Sequence, residues 1–244
     1  TIKHHHQNIS KALSDAIHDK LLIYNPASAA KSPSPAKFKA KFLTPKQLEQ
    51  LMLLVKGSVI ELPVQLCSIY GFRRSEVLGL KWKYIDFDQR TLTVAETLQQ
   101  NTGGSYADVT KNESSCRMLP LTQQAYDLLL AQKEQQEERA RVMGSYYNKS
   151  DYVCTWADGK VIEPNYLTRT FHKILQKSDL PMVRLHDLRH STASNLIEQN
   201  VSIVNVANWL GHSSPTTTLN FYAHTNQEQK KRVANVIDGI LSVR

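Results

Sequence analysis

Apolar residues recur every four positions at Ile9, Leu13, Ile17 and Leu21, the spacing of one helix face. The run His4–His6 leads straight into this pattern, so it reads as native helix rather than the remnant of a tag. From Asn25 to Lys41 the periodicity stops. Pro26, Pro33 and Pro35, small residues, and Lys31, Lys37, Lys39 and Lys41 mark a basic linker. The pattern resumes at Thr44, an N-cap residue followed by Pro45 at the first helical position and Gln47 to complete a capping box. That predicts a helix to about Val55, a second over Val59–Tyr70 stopped by Gly71, and a further helical turn or two over Ser75–Lys81. Alternation at Thr91–Val94 begins a strand, Asn101–Gly104 is a turn, and Ser105–Thr110 and Ser115–Leu119 complete a small antiparallel sheet. Beyond Leu121 the pattern is helical except for a short apolar stretch at Tyr152–Trp156.

The fold class expected is therefore mainly α with a small antiparallel three-stranded β-sheet. Residues 1–24 are too short to own a core and read as the tail of a helical domain. The linker runs over 25–43, the main domain over 44–224, and a terminal helix over 225–244. In that last helix Val233, Val236, Ile237, Ile240 and Leu241 form one apolar stripe. The chain opens at Thr1 without an initiator Met, which reads as a fragment or a processed product.

Composition narrows the class. Of 244 residues 41% are hydrophobic and 21% charged, which excludes a wholly disordered chain. The most apolar stretch, Leu51–Tyr70, is interrupted by Lys56, Gly57, Glu61 and Pro63, so a membrane span is not expected. Cys67, Cys116 and Cys154 are odd in number and form no metal-binding pattern, which suits a reducing cytoplasm. The balance of 30 Lys and Arg against 22 Asp and Glu gives a net charge of +8 and favours an anionic partner, nucleic acid above all.

Candidate chemistry lies in five places. Arg73 and Arg74 follow Gly71-Phe72, Lys111 sits in a turn between strands, and His186-Asp187-Leu188-Arg189-His190 opens a helix. Leu210-Gly211-His212 sits at a helix end, and Tyr222 follows ten residues later. Two guanidiniums, an ammonium, imidazoles and a tyrosine suit transesterification at a phosphodiester. Arginines grip the non-bridging oxygens and stabilise charge in the pentavalent transition state. A lysine protonates the leaving alkoxide, and a tyrosine beside cations and a histidine base becomes a usable nucleophile. The covalent phosphotyrosine stores the bond energy, so neither ATP nor any other cofactor is expected.

Together these blocks resemble the tyrosine recombinase (phage integrase) family over roughly Thr44 to Arg244. Tyr70-Gly71-Phe72-Arg73-Arg74-Ser75-Glu76-Val77-Leu78-Gly79-Leu80-Lys81-Trp82 is similar to the family's first arginine motif. Val109-Thr110-Lys111, followed by Arg117-Met118-Leu119-Pro120-Leu121, resembles its lysine-bearing hairpin. Tyr70 and Phe72 stand where the family more often has Thr and Leu or Met.

The resemblance implies a catalytic set of Arg73, Lys111, His186, Arg189, His212 and the nucleophile Tyr222. It implies a site-specific recombinase of a phage or transposing element, cutting and rejoining double-stranded DNA through a 3′-phosphotyrosyl intermediate. Residues 1–24 would then be the end of a core-DNA-binding domain, and the terminal helix would be exchanged between protomers in dimers or tetramers on DNA. Lys37, Lys39, Lys41, Arg74, Lys81 and Lys83 are candidate phosphate contacts, and a location in the bacterial cytoplasm at the nucleoid follows.

Each of these residues also fits a purely structural role. Arg73 and Arg74 suit a solvated helix start paired with Glu76, Lys111 a turn lysine, and His212 a helix cap. Tyr222 suits a core position, and Val204, Val206, Leu210 and Gly211 resemble a helix-turn-helix segment. His186 and His190 share the i, i+4 spacing of a zinc-binding helix, but Asp187 and Arg189 do not fit one, and no metal site is expected. A type IB topoisomerase and a non-catalytic DNA-binding regulator are the alternative functions.

Overall fold

A computed structural model describes residues 2–30, 42–101, 104–109 and 116–212. The chain divides into two units, residues 1–39 and 40–244. In the first, α1 (Ile2–His18) forms the expected helix and none of its residues is buried. The chain reverses through Lys20, whose φ is +61°. Asn25 then ties the return segment to the helix, its amide donating to the Ser10 carbonyl at 2.8 Å and to Ser14 Oγ at 2.9 Å.

The second unit begins with α2 (Pro45–Val55), and its capping box forms as the sequence indicates. Gln47 Oε1 accepts from the Thr44 N–H at 3.0 Å, while Thr44 Oγ1 accepts from the Gln47 N–H at 3.4 Å. Helix α3 (Glu61–Tyr70) ends at Gly71, and the short α4 (Arg74–Leu78) follows at once. Strands β1 (Ile85–Asp86), β2 (Thr91–Val94), β3 (Glu96–Asn101), β4 (Gly104–Val109) and β5 (Arg117–Pro120) come next. Then come α5 (Gln123–Met143), α6 (Pro164–Gln176), α7 (Asp187–Glu198) and α8 (Ile203–Leu210).

The fold class is as expected, but strand partnership differs. The three-stranded antiparallel sheet has the order β1-β2-β5, with Leu92 opposite Leu119 and Val94 opposite Arg117. Of the segment expected to join it, residues 105–109 pair instead with β3 in a separate antiparallel hairpin, Glu96 opposite Val109. Strands β2 and β3 are nearly continuous, yet the polar Glu96 is drawn to Lys81, Tyr84 and Lys83, and this turns the second ribbon away from the sheet. The hairpin rests on α4 at Gly79, where backbone passes so close that a Cβ would lie 2.7 Å from the Glu96 oxygen and Thr97 Cα. The stretch Tyr152–Trp156 is neither helix nor strand but bends between two isolated bridges, Tyr152 with Lys81 and Thr155 with Val161.

One core runs through this unit, from Leu43 and Leu51 through Val64, Leu66, Tyr70, Leu78 and Leu92 to Leu129, Phe171 and Leu188. A smaller cluster of Ala193, Ile197, Val206 and Leu210 joins α7 to α8. Helix α7 buries small polar residues as well. Thr192 Oγ1 donates to the Ser68 carbonyl at 2.8 Å, and Ser191 Oγ accepts from the Leu43 N–H at 2.8 Å. Such short hydroxyls let α7 approach α3 closely while satisfying the backbone. Among the described residues no helix is long and apolar enough to cross a membrane. The cysteines are free, Cys67 and Cys154 buried and Cys116 exposed.

Candidate active site

Two helix C-termini converge on one arginine. Helix α3 is closed by Gly71 in the left-handed conformation (φ +65°), and its carbonyl accepts from Arg189 Nη1 at 2.8 Å. Helix α8 ends at Gly211 (φ +69°), with the His212 N–H on the Ala207 carbonyl at 2.9 Å, a Schellman-type end. That leaves the Leu210 carbonyl to accept from Arg189 Nη2 at 2.5 Å. Carbonyls at helix C-termini lack intrahelical donors and sit at the negative end of the dipole, so they suit a guanidinium. Arg189 itself comes from the first turn of α7, is 1% exposed, and donates from Nε to His212 Nε2 at 3.2 Å. Burial and the neighbouring Arg73 pull its pKa down to about 9, which still leaves it charged at neutral pH.

A second arrangement of arginines surrounds Glu76, which is 3% exposed. Arg73 Nη1 donates to its Oε1 at 2.5 Å and the Arg73 N–H to its Oε2 at 3.0 Å. Arg117 Nη2 donates to Oε2 at 3.1 Å, and Arg189 Nη1 stands 3.9 Å from the same oxygen. Burial alone would raise the Glu76 pKa; Arg117 first, then Arg73 and Arg189, hold it below the usual carboxylate value. Among the described residues, three guanidiniums against one carboxylate leave an excess of two positive charges around this point. Of the three, Arg73 is the open one, its side chain 36% exposed against 8% for Arg117 and 2% for Arg189.

The histidines line the same place. His186 is the N-cap of α7 and the most open of the three, with its ring edge-on to His190 at 5.2 Å between centroids. Partial burial, then Arg189 and Arg73, lower the His186 pKa. Burial followed by His186 takes His190 to about 4, and burial followed by Arg189 and Arg73 takes His212 to about 4. All three rings are therefore neutral at pH 7. Because Nε2 of His212 accepts from Arg189, its proton resides on Nδ1.

The structure thus brings together Arg73, His186, Arg189 and His212 of the expected set. Lys111 and Tyr222 lie outside the described residues, as do Lys37, Lys39, Lys41 and the terminal helix. Arg74 points the other way, donating to Thr168 Oγ1 at 3.0 Å on α6. Lys81 and Lys83 both engage Glu96, the former also lying over the Tyr152 ring and the latter 3.0 Å from Oε1. Burial opposes ionisation of Glu96, but hydrogen bonds from Lys81, Tyr84 and Lys83 bring its pKa to about 2. Among the described residues no group of three His, Cys, Asp or Glu is placed to hold a metal.

Two organising residues carried no role in the sequence reading, Arg117 and Glu76 as a shared carboxylate. A signal for Arg117 was present: strand alternation puts it on the same face as buried Leu119. An arginine facing inward needs an acid partner.

Chemically, fixed cations in excess beside neutral imidazoles suit an anion with several oxygens. The open Arg73 presents charge, while the buried pair and Glu76 fix its direction. Neutral histidines can donate a hydrogen bond or move a proton without adding charge.

The family model described as Phage integrase family matches residues 41–229. The chain is 27% identical over 243 residues to a tyrosine recombinase XerC-like protein of Caldanaerobacter subterraneus, covering 92% of this chain and 62% of that one. It is 27% identical over 236 residues to the ICEBs1 integrase of Bacillus subtilis, covering 96% and 64%. It therefore spans somewhat under two thirds of the length of these relatives. Among solved structures, the Tn1549 transposon integrase in complex with a circular intermediate DNA superposes with a TM-score of 0.80 at 22% identity, over 96% of this chain and 78% of that one. A lambda integrase dimer bound to a COC′ core site gives 0.59 at 19%, over 87% and 71%.

Proposed function

Because the chain belongs to the phage integrase family, we propose that it is the catalytic part of a site-specific recombinase of a mobile element. The single observation that carries this reading is the convergence of Arg73, Arg117 and Arg189 on Glu76, with two neutral imidazoles alongside. It is a site with surplus fixed charge for a phosphodiester. Arg73 and Arg189 clamp the non-bridging oxygens, and His212 adds a hydrogen bond. The Tyr222 oxygen attacks phosphorus while His186 assists removal of its proton. The bond to the 5′ oxygen breaks, Lys111 supplies the proton to that oxygen, and a 3′-phosphotyrosyl ester remains. A 5′-hydroxyl from a partner strand reverses the step and exchanges the strands.

The substrate in this reading is double-stranded DNA. Residues 1–24 belong to a helical DNA-binding domain, 25–43 to a basic linker carrying Lys37, Lys39 and Lys41, and 225–244 to a helix that docks on a neighbouring protomer. Arg74, Lys81 and Lys83 are the remaining candidate phosphate contacts; each already has a protein partner, so their share in DNA binding is secondary. The proteins of similar fold named above were solved on DNA, which supports the choice of substrate.

A covalent trap tests the proposal. A pool of nicked duplexes loses a short strand after attack and cannot religate, so a protein–DNA adduct accumulates on a denaturing gel. The adduct is expected with the wild type and absent with Tyr222→Phe. Retention of duplex without any adduct would instead support a DNA-binding regulator.

A further inference from the structure

We propose that Arg117 is a positioning residue, the clamp that holds Glu76 and the end of α8 in register so that Arg189 and His212 face the reacting phosphate; this rests on the recombinase reading above. Arg117 leaves β5 and reaches two elements at once. Its Nη2 and Nη1 meet the two Glu76 oxygens at 3.1 and 3.5 Å, a fork on a carboxylate. Its Nε donates to the Trp209 carbonyl at 3.0 Å, one residue before the carbonyl that holds Arg189. Beneath it lies the Phe72 ring, 5.6 Å from the guanidinium carbon, and that ring stacks on Tyr70, which stacks on Trp209. Gly211 leaves room for the group, since a Cβ there would stand 2.8 Å from Arg117 Nη1.

With its side chain 8% exposed and these donors turned onto protein, Arg117 is placed to fix its neighbours rather than to hold substrate. Without it, Glu76 would keep, among the described residues, Arg73 and the more distant Arg189. The carboxylate would then draw Arg189 off the Leu210 carbonyl and off His212, and Trp209 would lose the donor that pins α8. A lysine retains the charge but loses the fork and the reach to Trp209.

The test combines a readout that needs no chemistry with one that does. In protein with isotope-labelled histidine, the His212 ring nitrogens are followed by NMR through a pH titration, with His212→Gln used for assignment. Nicked duplexes drawn from a random pool report adduct formation, and filter retention of the same duplexes reports binding. In Arg117→Lys the His212 signals shift and its titration moves up from about 4. Adduct formation slows by about tenfold to a hundredfold, the effect of misplacing reacting groups by about an ångström, while duplex retention changes less than about twofold. Arg117→Gln gives a second variant in case one does not fold. His212 signals that coincide with wild type in a folded variant would overturn the proposal, as would duplex retention that falls in step with adduct formation. A wild type that forms no adduct would overturn the recombinase reading, while the ring nitrogens would still decide what Arg117 does.

Discussion

At the scale of single residues, the site depends on left-handed backbone that favours glycine. Gly71 must take φ +65° to close α3 and aim its carbonyl at Arg189, and a Cβ there would stand 2.4 Å from Leu210 Cδ2 and 3.4 Å from Arg189 Cγ. Left-handed backbone costs a non-glycine residue about 1–2 kcal/mol, and displacing Leu210 adds a packing penalty of similar size. Gly71→Ala should therefore lower stability by about 3 kcal/mol, a fall of roughly 6–12 °C in a thermal melt of a protein this size. The same change should reduce adduct formation more than duplex binding, because it moves Arg189 directly. A melt within about 1 °C of wild type would refute the assignment. Arg73, His186, Arg189 and His212 were legible as a set because each sits in a local motif whose neighbours fix its secondary structure. Glu76 as a hub was not: Arg73, the N-cap of α4, is a local partner, but Arg117 and Arg189 come from β5 and α7, and only the folded chain brings those to it.

Among elements, the informative feature is the split of one expected sheet into a sheet and a hairpin. Alternation along 91–94, 105–110 and 115–119 identifies strands but not which edges pair, because any of these segments can offer its hydrogen bonds to another. The deciding contacts are non-periodic: Glu96 with its two lysines and Tyr84, and the close approach of β3 to Gly79. Gly79→Ala would force β3 off α4, since the atoms in the way are backbone. A loss of about 1–3 kcal/mol is expected in urea unfolding. Adduct formation should fall too, because the hairpin leads into the segment that carries Lys111. Helix signals were more reliable. The Thr44-Pro45-Gln47 cap, the stop at Gly71 and the start at His186 all lie where local chemistry places them.

For the whole molecule, the histidines set a pH limit. His190 and His212 both have pKa values depressed to about 4 from 6.5, so the folded state binds fewer protons than the unfolded chain in that interval. Stability is then complete above about pH 6.5 and is lost progressively as pH falls towards 4. Glu76, Glu96 and Asp187 are lowered from 4.5, 4.5 and 3.8, so their contributions persist until more acid conditions. A thermal melt should thus drop between pH 6.5 and 4.5, and His190→Asn should flatten that dependence. A melting temperature constant across this interval would contradict the buried, neutral rings.

The small cluster that joins α7 to α8 has a consequence for the order in which the fold comes apart. Helix α8 spans only Ile203–Leu210; Val206 and Leu210 are its buried members of that cluster, Ile203 and Trp209 pack partly buried against it, and Arg117, Arg189 and the Trp209 stack tie it to the rest. Among the described residues its apolar footprint is small beside the main core, and a segment of that kind detaches at lower free energy than the main core unfolds. Warming is therefore expected to part His212 from Arg189 first, as a reversible subglobal event, while most of the protein still stands.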